Sequence, residues 1–221
     1  MGTAADSHAW YQRFTAVEGD EESALYRALA SERRRTVLTV LRQHDTPVSE
    51  PRLARLVSER ETGDSPDAVA TADHGRVRLS LHHVHLPNLE AAGLIRRIDD
   101  GHIDCARHPF WTTSDVRTLL TRDRVAPAQT TVTFGVLADH RRRAILTLLK
   151  DQQGLTVGEI AEELTDTPLS SQESPKLKAE LVHCHLPKLE EAHVVEVDSG
   201  GSRIRYTGNV ILEEWFSEVR T

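Results

Sequence analysis

The residues of this chain best suited to chemistry are histidines in a short motif that occurs twice. His83 and His85 lie in His-Val-His-Leu-Pro-Asn-Leu-Glu, and His183 and His185 lie in His-Cys-His-Leu-Pro-Lys-Leu-Glu. Imidazole can bind a metal, transfer a proton or contact phosphate. On a helix, residues two apart point about 200° from each other, and the i, i+4 spacing of helical zinc pairs is absent. The motif therefore favours packing of the histidines at the edges of a buried stripe, with phosphate contact and metal ligation as alternatives.

A second motif is also repeated. Leu-Ala-Ser-Glu-Arg-Arg-Arg occupies 29–35, and Leu-Ala-Asp-His-Arg-Arg-Arg occupies 137–143. The chain is therefore a duplicated module. Ser31 and Asp139 are predicted helix N-caps, because each precedes an apolar stripe with helical spacing.

The arginines of this motif fall in the first turn of a helix, where the helix dipole disfavours cations. Some other group must offset that cost. Arg34 and Arg142 lie along the apolar stripe of their helices, so each is expected to pair with a carboxylate inside its domain. Arg35 and Arg143 are expected to point outward, where they could meet phosphate.

Composition limits the class of protein. The 221 residues include 34 acidic and 27 basic side chains, and only four of the bases are lysines. An acid-rich, lysine-poor chain suits solubility in concentrated salt, although a GC-rich genome also favours arginine. Net charge of −7 disfavours an extended non-specific grip on nucleic acid but permits a local basic face. Two cysteines at non-equivalent positions and the absence of a long apolar run indicate a reduced, cytoplasmic protein without membrane contact.

Hydrophobic periodicity gives the same element order in both copies: helix, helix, long helix and β-hairpin. The first long helix is expected to bury Leu79, Leu86, Leu89 and Gly93. Its outer face would then be Ser80, Val84 and Asn88, matched in the second copy by Glu180, Cys184 and Lys188. These are poor readers of bases, and Glu180 would repel phosphate.

Pro87 and Pro187 fall inside the predicted long helices. Proline cannot donate a backbone hydrogen bond to the residue four positions earlier, and its ring clashes with that carbonyl. Each proline is therefore predicted to kink its helix at a fixed place in the module.

At this point the sequence resembles known families. Leu-Ala-Asp-His-Arg-Arg-Arg-Ala-Ile-Leu at 137–146 resembles the opening helix of ArsR-like winged-helix regulators, and His-Leu-x-x-Leu-x-x-Ala-Gly-Leu at 85–94 resembles the end of their recognition helix. The doubled form resembles a tandem winged-helix family of halophilic archaea. The resemblance covers most of 24–105 and 132–207 and implies a mainly α fold with small β-hairpin wings (α+β), built as two tandem winged-helix domains.

The resemblance also implies duplex DNA as a partner, because in such folds the third helix enters the major groove and the wing touches the backbone. The expected contacts lie at the helix starts and on the wings. The candidate DNA-binding residues are Arg76, Arg78, Ser80, His83, Arg96, Arg97, Lys176, Lys178, His183, Lys188, Arg203 and Arg205.

The domain boundaries expected from composition are a tail at 1–22, a first domain at 23–123, a linker at 124–131 and a second domain at 132–221. The segment 10–14, Trp-Tyr-Gln-Arg-Phe, could dock on a domain. Closing helices near 114–120 and 211–219 are candidates for packing between modules or between chains as a homodimer.

The expected function is a DNA-binding transcriptional regulator in which two fused modules act as a pseudo-dimer. A protein-interaction scaffold without DNA contact is the alternative, and a metal- or ligand-sensing regulator is the third. No Gly-rich phosphate loop, activated nucleophile or convincing carboxylate pair is present in the sequence, so neither an enzyme nor a cofactor or resident metal is expected.

Overall fold

The computed structural model describes residues 18–63, 71–98, 101–112, 126–165, 173–198 and 203–219. These residues are mainly helical, with small antiparallel sheets of three and two strands. The expected α+β class is therefore confirmed. The predicted closing helix near 114–120 and the aromatic segment at 10–14 lie outside the described residues.

Two compact units divide the chain. The first unit comprises Ala24–Thr131, and the second comprises Val132–Thr221 together with the N-terminal residues through Ser23. Helix α1, Glu18–Leu29, therefore begins in the second unit and ends in the first, and the helix Pro127–Leu137 begins in the first and ends in the second.

Residues expected in the tail and in the linker are thus partly helical. Pro127 opens its helix at the first helical position, where proline needs no hydrogen-bond acceptor.

The first unit follows the predicted element order. After α1 come α2 Glu32–Arg42, β1 Val48–Ser49, α3 Glu50–Thr62, α4 Thr71–Ser80, a π turn Leu81–His85, α5 Leu86–Ala91, β2 Ile95–Ile98, β3 His102–Cys105 and a 3-10 turn Pro109–Thr112. The continuous stretch α4, π turn and α5 is called the first long helix. The sheet is antiparallel in the order β1-β3-β2, with Val48 opposite Ile103 and Ile95 opposite Cys105.

The second unit repeats this order. Its elements are α6 Pro127–Leu137, α7 His140–Asp151, α8 Val157–Glu163, α9 Glu173–Glu180, a π turn Leu181–His185, α10 Leu186–Glu191, β4 Val195–Val197, β5 Ile204–Tyr206 and α11 Val210–Val219. The stretch α9, π turn and α10 is called the second long helix. A bridge between Leu155 and Ile204 takes the place of the β1–β3 pairing.

Local sequence explains several boundaries. The Asp139 side chain accepts hydrogen bonds from the backbone N–H groups of Arg141 and Arg142, so its predicted capping role is confirmed, whereas Ser31 occupies the N-cap without a side-chain hydrogen bond. Gly93 ends the first long helix in the left-handed region at φ 67°, and His193 adopts φ 54° at the same place in the second.

Leucines and β-branched residues form the core of each unit. The predicted stripes Val37, Leu38 and Leu41 on α2 and Ile145, Leu146 and Leu149 on α7 are buried. Leu212, Trp215 and Phe216 of the closing helix α11 are also buried. That the closing helices pack between modules or between chains stays a prediction. Among the described helices, none is long and apolar enough to cross a membrane.

Candidate nucleic-acid interface

The two prolines of the repeated motif are accommodated by π turns. In the first unit the Leu86 N–H donates to the Leu81 carbonyl five residues earlier, and in the second the Leu186 N–H donates to Leu181. Since Pro87 has no N–H and its ring would clash with the His83 carbonyl, the wider turn resolves both problems. The proline thus changes the hydrogen-bond pattern of each long helix at the predicted place, and the predicted kink stays a prediction.

The π turn corrects the predicted buried stripe. Leu79 was expected in the core, but its exposed fraction is 62%, whereas Leu81 is fully buried. A π turn inserts about one extra residue into the helix. The buried positions before it therefore lie about one residue further towards the N-terminus than counting back from Leu86 at the α-helical period predicts. One signal in the sequence pointed to this result: the second copy has Ala179 where the first has Leu79, while Leu81 is matched by Leu181.

The paired histidines face different surroundings. His83 and His183 are exposed, while His85 is half-buried and His185 is 4% exposed. The His83 ring contacts the ring of His82 edge-on, with centroids 4.8 Å apart. Each repeat therefore has one histidine at its surface and one packed against its own α2 or α7 helix.

The Nδ1 atoms of the inner histidines are buried and make no hydrogen bond among the described residues. Burial lowers the pKa of His85, and the neighbouring Arg34 and Arg33 lower it further. Burial also lowers the pKa of His185, although Asp139, whose Oδ1 lies 3.8 Å from Nδ1, opposes that effect. Within the described parts of the chain, no group of three or more His, Cys, Asp or Glu side chains is arranged to hold a metal ion.

The second arginine of each triplet caps the helix that precedes it. Arg34 donates to the backbone carbonyls of Ala28 and Arg27, and Arg142 donates to those of Val136 and Gly135. These carbonyls belong to the last turn of a helix, where they lack intrahelical partners and carry the negative end of the dipole. The expected partner was a carboxylate. Among the described residues Arg142 has one nearby, its own N-cap Asp139 at 3.6 Å, and Arg34 has none in an ion pair.

The third arginine of each triplet is buried, contrary to the expectation that it points outward. Arg35 donates to the Leu29 carbonyl and to Pro127 and Thr131 within the first unit. It is unavailable to phosphate because its N–H groups serve backbone and hydroxyl acceptors.

Arg143 has the equivalent place in the second unit and is fully buried. It donates to the Leu137 carbonyl and to the Ser23 hydroxyl, and its Nε lies 3.2 Å from a Glu22 carboxylate oxygen. The sequence did not predict these acceptors because Ser23 lies 120 residues before Arg143 and Glu22 lies next to Ser23.

The first arginine of each triplet contacts the middle of the long helix. Arg33 makes a bidentate pair with Glu61 and donates to the Ser80 hydroxyl. Arg141 pairs with Glu180, the residue equivalent to Ser80. The carboxylate of Glu180, expected to repel phosphate, is therefore neutralised by its own unit.

The basic candidates of the first unit surround a carboxylate that the sequence analysis did not single out. The Glu50 side chain is 13% exposed and lies 3.0 Å from His82 Nδ1, 3.5 Å from Arg97 Nη1 and 3.9 Å from Arg78 Nε. Arg97 also contacts Glu90. These side chains, Glu50, Arg78, His82 and Arg97, are called the Glu50 cluster.

The remaining basic candidates of the first unit differ in their surroundings. Arg96, on the same strand as Arg97, is exposed and pairs with Asp104 across the hairpin at 2.7 Å. Arg76 is exposed at the start of the first long helix.

In the second unit the basic candidates are distributed differently. Lys176 and Lys188 are exposed and Lys178 is half-exposed, all on the second long helix, and no ion pair among the described residues engages them. Arg205 is exposed on β5, while Arg203 beside it donates to the Gly154 carbonyl. These three lysines and Arg205 are called the second-unit cations.

The family of this chain is shown by a model described as Domain of unknown function (DUF7344). It matches residues 26–103 and again 134–205, which together cover more than half of the sequence. The chain therefore belongs to this family and carries its domain twice. No curated protein and no solved structure matches the chain.

Proposed function

We propose that this tandem member of the DUF7344 family is a cytoplasmic winged-helix protein that binds duplex DNA and regulates transcription. The order helix, helix, long helix and hairpin in each unit supports the winged-helix assignment, as does the antiparallel β1-β3-β2 sheet in the first. In this architecture the long helix and the hairpin are the surfaces that approach DNA.

One observation carries the proposal: the three lysines among the second-unit cations are exposed or half-exposed on the long helix, and no carboxylate of the described residues forms an ion pair with them, whereas Arg205 on the hairpin lies opposite Glu196. Lys176 and Lys178 lie at the beginning of the second long helix, Lys188 lies beyond its π turn, and Arg205 lies on the hairpin. All of the chain's lysines but Lys150 lie on this helix. A lysine with no protein partner is free to neutralise a phosphate and to release its counterion.

The test is a titration of the full chain into a labelled mixed-sequence duplex over a series of salt concentrations. The proposal expects binding that weakens as salt rises. The triple variant Lys176→Gln, Lys178→Gln, Lys188→Gln should flatten the slope of log K against log salt by about 2.7, because each lost phosphate contact contributes about 0.9.

The matched control is Arg60→Gln, which removes an exposed charge from the last turn of α3, whereas Glu50 is the first residue of that helix. The substitution also removes the hydrogen bond from Arg60 to Gln43. Its slope should equal that of the wild type. Absence of salt-dependent binding on every duplex tried would overturn the proposal.

A scaffold that binds protein instead of DNA is the second candidate, and exposed apolar side chains on the first long helix favour it. Leu79 is 62% exposed and Val84 is 49% exposed there. The same titration separates the two candidates, because a scaffold leaves duplex DNA unbound at every salt concentration. Elemental analysis of the purified chain tests the third candidate, a metal sensor.

A further inference from the structure

The Glu50 cluster is present in one repeat only. α3 and α8 correspond through their buried residues Leu53 and Ile160, so that Glu50 corresponds to Val157. In the repeated-motif register, Arg78, His82 and Arg97 correspond to Lys178, Val182 and Val197. The carboxylate, the imidazole and one guanidinium of the cluster are therefore all replaced by valine in the second repeat.

This coordinated replacement changes which cations are available to a ligand. In the first unit the Glu50 carboxylate accepts from, or lies against, two guanidinium groups and an imidazole, and its 13% exposure leaves it little contact with water. Arg97 also contacts Glu90. In the second unit the retained cation, Lys178, has no carboxylate at the equivalent place. Arg78 and Arg97 thus each lie beside a carboxylate of the protein, whereas Lys178 lacks the carboxylate that corresponds to Glu50.

We infer that Glu50 withholds Arg78, His82 and Arg97 of the first unit from DNA phosphates, so that the second unit makes more of the phosphate contacts. This inference rests on the proposed function, since it assigns the two repeats unequal parts in DNA binding. Glu50 affects phosphate binding indirectly, through the basic side chains that lie against it.

The test compares Glu50→Gln with the wild type in the same duplex titration. Gln retains the size of the side chain but removes the charge, which releases Arg78, while Arg97 keeps its contact with Glu90. One added phosphate contact would steepen the slope of log K against log salt by about 0.9. The affinity gained over the wild type would then be about threefold larger at about 50 mM salt than at about 200 mM.

Two further variants keep the test specific. Glu59→Gln removes the same charge from the same helix nine residues away, and it should leave the slope unchanged. Val157→Glu places a carboxylate at the equivalent position of the second repeat and should reduce the slope by about 0.9 through Lys178, while Val157→Gln should not. Thermal melts of every variant establish that the compared proteins are folded.

The outcomes separate the inference from the proposed function. If the wild type binds and Glu50→Gln has the same slope, the inference fails and the proposed function stands. If the slope of log K against log salt steepened equally in Glu50→Gln and Glu59→Gln, the change in net charge would explain the effect, and the inference would be overturned. If only Glu50→Gln binds, the proposed function fails, and so does the part of the inference that leaves phosphate contact to the second unit of the wild type; if neither binds, both fail.

Discussion

The two repeats have the same buried arginine contacts but different charges around their long helices. In both, the second arginine of the triplet caps the preceding helix and the third is buried against a backbone carbonyl of that helix. Both long helices also contain a π turn directly before proline. These features occupy the interior of each unit, where a change leaves a buried group without its partner.

The Glu50 cluster, by contrast, has no counterpart in the second repeat, and that repeat folds with the same element order. The cluster is therefore dispensable for the fold of the module. The comparison teaches that the repeated motif reports structure, while the positions at which the copies differ are where a difference in binding is to be sought. The following predictions test that division.

The largest effect is expected at the buried third arginine. Arg143→Ala should lower the free energy of unfolding by about 4 kcal/mol, because it leaves the Leu137 carbonyl, Ser23 and Glu22 without their buried donor. Arg35→Ala should cost less, since the described partners of Arg35 are carbonyl and hydroxyl groups and include no carboxylate. Urea denaturation followed by tryptophan fluorescence measures both, with the buried Trp215 reporting on the second unit.

Arg141→Ala is the control for this pair, because Arg141 is an exposed member of the same triplet. Its ion pair with Glu180 should contribute less than about 1 kcal/mol. Similar losses at Arg141 and Arg143 would contradict the distinction between a buried structural arginine and a surface one.

The next effect tests the change of register at the π turn. Leu81→Ala should cost about 3 kcal/mol, because Leu81 is fully buried. Leu79→Ala should change stability by less than about 0.5 kcal/mol and should resemble the second repeat, which already has Ala179. The same urea denaturation checks both variants. A larger loss of unfolding free energy for Leu79→Ala than for Leu81→Ala would mean that the helix is a regular α-helix in solution.

The sequence predicted the order of elements and the stripes of α2 and α7 because period and capping are local properties. It failed for Leu79 because a regular period was projected through a proline, and a π turn is a local response that periodicity does not contain. The comparison of Leu79 with Ala179 could have revealed the error without a structure.

The surroundings of the charged candidates were harder to predict. The partners of Arg143 and the position of Glu50 beside Arg78 and Arg97 depend on contacts between residues far apart in sequence. Glu50 itself follows the strand β1 as an ordinary first-turn acid, so nothing local distinguishes it. Sequence identified candidate cations but not which of them are already paired.

A smaller effect is expected at the helix caps. Asp139→Ala should cost about 1 kcal/mol, because the Asp139 side chain accepts two backbone hydrogen bonds at the start of α7. Ser31→Ala should cost less, because the Ser31 side chain makes no capping hydrogen bond at the start of α2. Thermal unfolding of the two alanine variants tests the difference, and equal losses would mean that Ser31 caps its helix in solution.

The smallest effect concerns pH and the inner histidines. Burial, with help from Arg142 and Arg141, holds the pKa of His185 below its ordinary value of 6.5, so the folded chain binds fewer protons than the unfolded chain just below that pH. The contribution of His185 to stability is therefore complete above about pH 6.5 and is lost as pH falls from there through the lower pKa of the folded chain. Asp139 remains ionised over this range because Arg142 helps to hold its pKa low.

His185→Gln should consequently lose less stability than the wild type when the pH is lowered from about 7.5 to about 5.5. His85→Gln should behave alike, because burial and Arg34 and Arg33 also lower the pKa of His85. His183→Gln is the exposed control and should follow the wild type. Urea denaturation at each pH measures the free energy of unfolding, whose change with pH is then compared between the variants. Parallel curves for His185→Gln and the wild type would mean that the buried imidazole takes up its proton as readily as it does in the unfolded chain, through rearrangement toward Asp139.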